Sequence, residues 1–291
     1  MTPRVGVLGA GTMGVGIAYV AAAAGCTTHV VEPEPQRQAA LLAVVREQAE
    51  RGVARGKLTD EQAQELPGRV RVAATTDELP EGLDLVVESV PERLELKHAV
   101  LAAAEQRRPA LLATGTSALS VDELAGRLAR PDAFLGMHFF NPVWSLHMVE
   151  LVRGAATSDE ALVAAQGFAG LLGKRSIVVR DVPGFATSRL DVVTALEAMR
   201  MLESGVASAD DIDLAMTVAY RHPMGPLRLS DVVGLDVRLD IARNLEQVYG
   251  ERFAPPQVLL DKVAAGHLGQ KTGRGFFTWD PTPASPTVGA P

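Results

Sequence analysis

The sequence predicts an α/β protein in which a doubly wound, mainly parallel sheet is followed by a smaller all-helical C-terminal domain. Three observations lead to this fold class. A glycine-rich turn joins a strand pattern to a helix pattern near the amino terminus, and short β-branched runs then alternate with helical stretches as far as residue 180. After Pro183 the strand patterns stop. Strands that alternate with helices are joined by crossovers, and crossovers make neighbouring strands parallel.

The first element is a strand pattern over residues 4–8, which runs through a glycine-rich turn into an alanine-rich helix pattern. Gly9 would allow the sharp turn, Gly11 would let the backbone approach a pyrophosphate, and Gly14 would let the helix pack closely against the strand. The amides at the start of that helix favour a bound phosphate. This strand, turn and helix predict a Rossmann-type dinucleotide site. Its expected cofactor contacts are Gly9, Gly11, Thr12, Met13 and Gly14.

The second strand pattern, residues 27–33, carries an acidic residue that bears on the choice of cofactor. Glu32 follows the glycine motif at roughly the 20-residue distance found in dinucleotide sites. Its carboxylate can accept hydrogen bonds from an adenosine ribose and would repel a 2′-phosphate, and no arginine follows directly to bind one. The sequence therefore predicts NAD as the cofactor in preference to NADP.

The alternation of strand and helix patterns continues through the first part of the chain. Further strands are expected at residues 69–75, 83–90, 110–115, 133–140, 147–152 and 175–180, and helices near 33–66, 92–106, 121–129 and 158–173. In an open sheet of this kind, ligands bind at the carboxyl ends of the strands. We therefore expect the functional residues where these strands end.

The remainder of the chain predicts a separate helical domain. We expect an NAD-binding domain over residues 1–183, a helical substrate and dimerisation domain over 184–280, and a disordered proline-rich tail over 281–291. Apolar residues in the helical domain recur at three-residue steps and predict one buried helix face. They are Leu190, Val193, Leu196, Met199 and Leu202. Because such apolar stripes exceed what one copy can bury, a homodimer through this domain is predicted.

Composition limits the classes of partner. The chain has 291 residues, of which 47% are hydrophobic and 22% charged, and its net charge of -7 offers no overall positive field for nucleic acid or an anionic membrane. The apolar run over residues 15–25 is too short to span a bilayer. A single cysteine, Cys26, excludes an internal disulfide and a cysteine-based metal site. We expect a cytoplasmic protein without a metal ion, a nucleic-acid partner or a membrane anchor.

Three polar residues in the later motifs are candidates for chemistry, although each alone favours a structural role. His138 lies between a small-residue turn and two phenylalanines, a setting more typical of a core or capping histidine. Ser117 alone is more often a turn hydroxyl or a helix cap, and Glu150 alone is more often a solvated charge on a strand face. Taken singly, the residues leave both interpretations open.

The order of the motifs along the chain carries further information. They are VGVLGAGTMGVGIA, VVESVPERLELK, GTSALSV, GMHFFNPV, MVELVRG, DVPGFATSRL, HPMGPLRLSDVVGLDV and GQKTGRGFFTW. Over nearly the whole chain this series resembles the 3-hydroxyacyl-CoA dehydrogenase family, in particular its short 3-hydroxybutyryl-CoA dehydrogenase type. The resemblance implies a reversible, NAD-dependent oxidation of a 3-hydroxyacyl thioester to the 3-oxoacyl thioester in fatty acid metabolism.

The resemblance also implies roles for individual residues. His138 falls on the family's catalytic base and Glu150 on its acidic partner, which would fix the imidazole tautomer and stabilise the imidazolium. Ser117 falls on the serine that hydrogen-bonds the substrate oxygen, a task that suits a hydroxyl because it can donate and accept. Lesser contacts are implied for Asn141 with nicotinamide or substrate, and for Glu92 and Lys97 with the cofactor.

The chain departs from the family pattern near the implied substrate. Ser188, which we keep among the candidate catalytic residues, stands where the family commonly has asparagine, so its shorter side chain is expected to lose a direct contact or to act through water. Gly115 also stands where asparagine is common. Trp144 and His147 lie in a link that usually contains proline and lysine, and they would reshape the acyl pocket. These departures bear mainly on which acyl group is bound.

The carrier of the acyl group has two interpretations. Residues 36–57 hold basic side chains in a region that the family uses to meet coenzyme A phosphates, but a solvated charged face is the alternative. They are Arg37, Arg46, Arg51, Arg55 and Lys57. An acyl group on carrier-protein phosphopantetheine would present the same thioester arm. Alternative functions are a related dehydrogenase acting on a free hydroxy or sugar acid and a non-catalytic NAD-binding protein.

Overall fold

The computed structural model describes residues 2–280, which form two compact units that divide between Val182 and Pro183. The predicted disordered tail, residues 281–291, lies outside the described residues. Each unit has its own hydrophobic core. The glycine motif and most of the candidate site residues belong to the first unit, and Ser188 belongs to the second.

The first unit is built on one eight-stranded sheet. Its strands are β1 (Arg4–Leu8), β2 (Thr27–Val31), β3 (Val70–Ala73), β4 (Leu85–Glu88), β5 (Leu111–Thr114), β6 (Phe134–Phe139), β7 (Met148–Arg153) and β8 (Arg175–Arg180). Their order across the sheet is β3-β2-β1-β4-β5-β6-β7-β8. Every neighbouring pair is parallel except β6 and β7, which are antiparallel. The predicted mainly parallel sheet is confirmed.

Helices connect most of these strands. They are α1 (Thr12–Ala23), α2 (Pro35–Ala54), α3 (Asp60–Glu65), α4 (Leu94–Gln106), α5 (Val121–Ala125) and α6 (Asp159–Leu171), with 3₁₀ turns at Leu66–Arg69, Thr76–Glu78 and Pro131–Ala133. The helical stretch expected near residues 33–66 divides in two, because Gly56 adopts a φ of 66° and Thr59 then caps α3 in a capping box with Gln62. The helix expected over 121–129 ends at Ala125.

The interior of the first unit follows from its strand composition. Every residue of β4 and β5 is buried, as expected for parallel strands covered by helices on both faces. Val7, Val87 and Ala113 from three adjacent strands share one apolar cluster with Ile17 of α1 and Ala165 of α6. This packing holds the strands, and hence the segments that follow them, in fixed register.

The sheet also determines where a ligand can bind. The chain adds β2 and then β3 on one side of β1 within the sheet. It then returns and adds β4 next to β1 on the opposite side. The strand order therefore reverses between β1 and β4. In open α/β sheets, the crevice outside the carboxyl ends of the strands at such a reversal is the usual ligand site.

The second unit is helical. Its helices are α7 (Thr187–Glu203), α8 (Ala209–Leu214), α9 (Pro226–Val233), α10 (Leu235–Tyr249) and α11 (Gln257–Ala264), with a π-helical turn at Ala215–Ala219 and 3₁₀ turns at Glu251–Phe253 and Gln270–Thr272. Isolated bridges pair Arg274 with Gly269 and with Thr278. The predicted helical C-terminal domain is confirmed. Among residues 2–280, no helix combines the length and apolar character needed to cross a membrane.

The buried face predicted for α7 is wrong in part. Leu196 and Met199 are fully buried, but Leu190 is 66% exposed. An α-helix needs 3.6 residues per turn, so each three-residue step falls about 60° short of a full turn and a series of such steps winds away from one face. The buried positions of α7 are Val192, Ala195, Leu196, Ala198 and Met199.

Candidate active site

The centre of the candidate site is a histidine and a carboxylate on neighbouring strands. The antiparallel pairing of β6 with β7 sets His138 directly opposite Glu150, and Nδ1 of the imidazole lies 2.8 Å from Oε2 of the carboxylate. His138 is 6% exposed and Glu150 is 0% exposed. A carboxylate can only accept a hydrogen bond, so the proton of the neutral imidazole lies on Nδ1. The other ring nitrogen, Nε2, then carries a lone pair. The pair can therefore act as a proton acceptor.

The alternative of a solvated strand charge for Glu150 is wrong, because the residue is fully buried. Strand β7 lies between β6 and β8, and four of its residues, Val149 to Val152, are buried. The ring of Phe140 lies 4.7 Å from the His138 ring, centroid to centroid. A buried carboxylate is costly without partners, and the imidazole supplies one.

Ser117 lies on the turn that follows β5. Strands β5 and β6 are parallel, with Thr114 opposite Gly136, so the residues that follow Thr114 and Gly136 approach the same edge of the sheet. Ser117 is exposed there, and its backbone N–H donates to Oε1 of Glu92 at 3.0 Å. The structure therefore places Ser117 and His138 at the carboxyl ends of adjacent strands.

The glycine turn has the geometry that the sequence predicts. Gly9 has a φ of 103°, and a Cβ on Gly14 would overlap the carbonyl oxygen of Gly9. A Cβ on Gly11 would have no atom within 4 Å, so the space beside this residue is open. Gly11 is the N-cap of α1, and among the described residues no side chain caps this end of the helix. Backbone N–H groups are thus left to bind an anion, which fits a dinucleotide pyrophosphate.

Glu32 stands beside this turn. It follows β2 and is 4% exposed, with Oε2 accepting from Ala10 N at 3.0 Å and Oε1 accepting from Glu34 N at 3.1 Å. These two contacts fix the carboxylate next to the glycine turn. Each carboxylate oxygen keeps capacity for a further donor, so Glu32 fits the hydroxyls of an adenosine ribose. The residues present therefore suit NAD.

Comparison with known proteins agrees with this geometry. Residues 4–182 match the model of the 3-hydroxyacyl-CoA dehydrogenase NAD binding domain, and residues 184–279 match that of the 3-hydroxyacyl-CoA dehydrogenase C-terminal domain. The chain belongs to the 3-hydroxyacyl-CoA dehydrogenase family. The resemblance of its motif series is thereby confirmed.

Members of this family are similar to the chain over almost its full length. The 3-hydroxybutyryl-CoA dehydrogenase of Mycobacterium tuberculosis is 39% identical over 281 residues, which cover 95% of this chain and 98% of the relative. The mitochondrial hydroxyacyl-coenzyme A dehydrogenase of Sus scrofa is 34% identical, with 96% and 92% covered. The crystal structure of (S)-3-hydroxybutyryl-CoA dehydrogenase from Ralstonia eutropha is 34% identical and superposes with a TM-score of 0.91, covering 96% of this chain and 100% of that one.

Two residues that the family resemblance assigns to the cofactor lie in a buried charge cluster. The ammonium of Lys97 is 2.7 Å from Oε1 of Glu88 and 3.1 Å from Oε2 of Glu92. Lys97 is 1% exposed and Glu88 is 0% exposed, whereas the Glu92 side chain is 38% exposed. Sequence reasoning missed Glu88, although it is the one acidic residue in the buried run that forms β4.

The link between β6 and β7 is held by a second residue that sequence reasoning missed. Nζ of Lys174 donates to the carbonyl oxygens of Val143 and Leu146, at 2.7 Å for Leu146. Burial of this ammonium lowers its pKa, and the nearby charge of Lys57 lowers it further. The sequence carries no motif that points to Lys174, because its partners are distant in the chain. This contact fixes the turn that follows Asn141.

Two remaining candidates are placed only locally. Asn141 is exposed two residues after the end of β6, in the turn held by Lys174. Ser188 is the second residue of α7 in the second unit and is partly exposed. The structure thus brings His138, Glu150 and the Ser117 turn to one edge of the sheet of this family member.

Proposed function

We propose that the chain is an NAD-dependent 3-hydroxyacyl-CoA dehydrogenase, which interconverts a 3-hydroxyacyl thioester and the 3-oxoacyl thioester. The observation that carries this proposal is the buried contact between His138 and Glu150. A base held by a carboxylate suits removal of a hydroxyl proton, and the open glycine turn suits a dinucleotide. Family membership and the names of the relatives support the same reaction.

The proposed proton transfer uses three side chains. In the oxidation direction, Nε2 of His138 accepts the proton of the substrate hydroxyl, because Nδ1 already donates to Glu150. The buried carboxylate stabilises the imidazolium that results. Ser117 donates to the ketone oxygen and accepts from the alcohol. When bound, NAD supplies the acceptor for the hydride. In the reduction direction His138 returns the proton to the oxygen.

The proposed cofactor site combines backbone donors with one carboxylate. The start of α1 offers its N–H groups to the pyrophosphate, and Glu32 accepts from the adenosine ribose. Glu92 is accessible enough to contact the cofactor, since its side chain is 38% exposed. The residues proposed to line the pyrophosphate are Gly9, Gly11, Thr12, Met13 and Gly14.

Asn141 and Ser188 are each proposed to contact a ligand. Asn141 follows β6 and can present an amide to nicotinamide or substrate. Ser188 replaces an amide with a hydroxyl, and we propose that it reaches the substrate oxygen through water. Both assignments rest on the family motif.

We propose coenzyme A as the carrier of the acyl group. Arg37 and Arg51 form ion pairs with nearby glutamates, whereas Arg46, Arg55 and Lys57 are exposed basic residues of the same region. Charges of this kind suit phosphates on a flexible ligand. Lys57 is close enough to Lys174 to lower the pKa of the Lys174 ammonium. This supports a position for Lys57 near the turn between β6 and β7.

We propose a homodimer formed through the helical unit. Apolar side chains are exposed on this unit, with Leu214 at 58%, Val218 at 69% and Tyr220 at 72%. The same unit has a groove of about 380 Å³ lined by residues that include Val193, Met201, Ile212 and Met216. Light scattering of purified protein should give twice the chain mass, and Val218→Asp should shift it toward the single-chain mass. Val163→Asp, at a 66% exposed site in the first unit, is the matched control.

We also propose a cytoplasmic location. The single cysteine, Cys26, is buried, and burial raises the pKa of its thiol, which suits an inert reduced side chain. Cell fractionation that recovers the protein in a membrane or periplasmic fraction would contradict this assignment.

A substrate panel tests the proposed reaction. NADH formation is measured at one pH with 3-hydroxybutyryl-CoA, the same acyl group on a pantetheine carrier and free 3-hydroxybutyrate. We expect turnover of the CoA thioester with NAD, and less with NADP. His138→Gln should lower kcat about 10²- to 10⁴-fold while NAD binding is retained, because the base acts on substrate.

The other outcomes separate the alternatives. Preference for the free acid over every thioester would overturn the proposed substrate class. Preference for the carrier thioester would overturn the assignment of coenzyme A but keep the reaction. NAD binding without turnover of any substrate would instead support a non-catalytic NAD-binding protein.

A further inference from the structure

The turn that carries Ser117 is held by a single carboxylate oxygen. Oε1 of Glu92 accepts from the Thr116 hydroxyl, from Ser117 N at 3.0 Å and from Ala118 N at 3.0 Å. Leu119 N is 3.4 Å from the same oxygen. Several donors converge on one oxygen, an arrangement that favours an ionised carboxylate over a neutral acceptor. Glu92 thus holds the backbone at Ser117 and at the residue that follows it.

The second oxygen of Glu92 links this turn to a buried ammonium. Oε2 of Glu92 is 3.1 Å from Nζ of Lys97, which is 2.7 Å and 2.9 Å from the two oxygens of Glu88. The carbonyl oxygen of Val90 lies 3.3 Å from the same nitrogen. An ammonium has three protons, and Lys97 has at least three acceptors around it in the protein. Its donors are therefore directed at protein groups.

Two threonines close these contacts into a ring. The Thr114 hydroxyl donates to Oε2 of Glu88 at 2.6 Å, and Thr116 N donates to the Thr114 hydroxyl at 3.2 Å. The Thr116 hydroxyl then donates to Glu92, and Glu92 meets Lys97. We call this ring, formed by Glu88, Lys97, Glu92, Thr116 and Thr114, the clamp. It joins the carboxyl ends of β4 and β5 to the turn at residues 116–119.

The charges of the clamp support a positioning role. Burial alone would raise the pKa of Glu92, but the ammonium of Lys97 and hydrogen bonds from Thr116 and Ala118 outweigh it and hold that pKa below its usual value. Glu92 therefore stays ionised near neutral pH and keeps its hold on the turn. Lys97 provides the ammonium between the carboxylates of Glu88 and Glu92. Without it, their negative charges would lose this compensation.

We propose that the clamp is a positioning device that sets Ser117 for the substrate oxygen, with Thr116 as the residue that transmits the contact. This inference rests on the proposed dehydrogenase reaction. Thr116 is 0% exposed and lies within the ring, so it acts through Glu92 and the backbone rather than by touching a ligand. A misplaced Ser117 hydroxyl would weaken the grip on the reacting oxygen and lower kcat.

Thr116→Val tests the clamp because it removes the hydroxyl and keeps the shape of the side chain. We expect kcat with 3-hydroxybutyryl-CoA to fall about 10-fold or more, since small misplacements of catalytic groups can cost up to about 100-fold. The dissociation constant for NAD should change by a smaller factor than kcat, because Glu92 keeps its contact with Lys97. Thr116→Ser, which restores the donor, should recover most of the lost kcat. Thr28→Val is the matched control, because Thr28 of β2, like Thr116, is fully buried and its hydroxyl makes a local hydrogen bond.

A second measurement reads the clamp without activity. Hydrogen exchange of the amides of Ser117 and Ala118 should accelerate in Thr116→Val and stay unchanged in Thr28→Val. Equal kcat and equal exchange in the two valine variants would overturn the proposal, as would a loss of NAD affinity that matches the loss of kcat. If the wild-type protein turns over no thioester, the proposed function falls, and the exchange measurement alone then decides whether the turn is clamped.

Discussion

His138 and Glu150 face each other across the antiparallel pairing of β6 with β7, and their side chains meet at 2.8 Å. The contact depends on strand register, because a shift of one residue would turn one of the two side chains to the opposite face of the sheet. The turn that joins β6 to β7 is anchored by Lys174, which helps to hold the two strands. The proposed base and its partner are thus fixed by the backbone of the sheet rather than by a flexible loop.

Glu150→Gln should lower kcat about 10²- to 10⁴-fold, because the amide keeps the size of the side chain but cannot stabilise the imidazolium by charge. NAD affinity should change little, since the dyad acts on substrate protons. Steady-state kinetics and a fluorescence titration with NADH measure the two effects. Glu160→Gln, at an exposed position in the first turn of α6, should leave both unchanged. Wild-type kcat in Glu150→Gln would remove the carboxylate from the mechanism.

Alanine at two glycines of the cofactor turn should give opposite results. Gly11→Ala should fold normally, because the φ of Gly11 is -69° and its new Cβ would meet no atom within 4 Å. The methyl enters the space proposed for the pyrophosphate, so NAD affinity should fall at least about tenfold, or 1.4 kcal/mol. Calorimetric titration with NAD and thermal unfolding measure the two properties.

Gly14→Ala should instead lose stability, by about 1–3 kcal/mol, because its Cβ would overlap the carbonyl oxygen of Gly9. Gly167→Ala is the control for the substitution itself, since a Cβ at this site in α6 would have open space. If Gly11→Ala and Gly14→Ala lost NAD affinity and stability in the same proportion, the division of roles between these glycines would be wrong.

Local features of the site could be predicted from the sequence, and long-range partners could not. Gly9 and Gly14 meet the conformational and steric requirements of one short turn, so their spacing in the sequence is sufficient to predict that turn. Glu88 reaches Thr114 on the next strand of the sheet, and Lys174 reaches a turn on the far side of β7. Such contacts depend on strand order and register, which residue spacing does not contain. The roles of His138, Glu150 and Ser117 therefore came from the family resemblance.

The antiparallel step in the sheet shows the same limit. The sequence predicted a mainly parallel sheet, and nothing in the composition of the segments that form β6 and β7 marks this pair as antiparallel. The link between them holds no helix, which is the only local sign that the chain turns back. The burial of Glu150 depends on what packs over β7 in the folded protein, so it could not be derived from the alternation within the strand.

Asp231→Asn should destabilise the second unit. The carboxylate is 0% exposed, and it accepts from Phe276 N at 2.8 Å, from Phe277 N at 2.9 Å and from Nε1 of Trp279 at 2.9 Å. Asparagine would turn an N–H group toward one of these donors, so we expect a loss of about 2–4 kcal/mol. Denaturant unfolding measures this loss.

The exposed residue Asp261 provides the control for that substitution. Its carboxylate meets only the side chain of Gln257 among the hydrogen bonds of residues 2–280, at 2.8 Å, so Asp261→Asn should change stability by less than about 0.5 kcal/mol. Equal stability of the two asparagine variants would contradict the role of Asp231 in holding the segment after α11.

The depressed pKa of Glu92 predicts how its contribution to stability depends on pH. Burial opposes ionisation, but Lys97 and the hydrogen bonds from Thr116 and Ala118 place the folded pKa below the unfolded value of 4.5. The unfolded chain therefore takes up the proton first as the pH falls. The stabilisation is fully present above the unfolded pKa, and it is lost as the pH falls through the folded pKa.

Urea unfolding measures this dependence in the wild type and in Glu92→Gln. The gap between their free energies of unfolding should be constant from pH 6 to 8 and should shrink below about pH 4.5. Glu95→Gln, with a side chain 75% exposed, should show no comparable gap at any of these pH values, and a Glu92 gap that stayed constant into acid would contradict the ionised clamp.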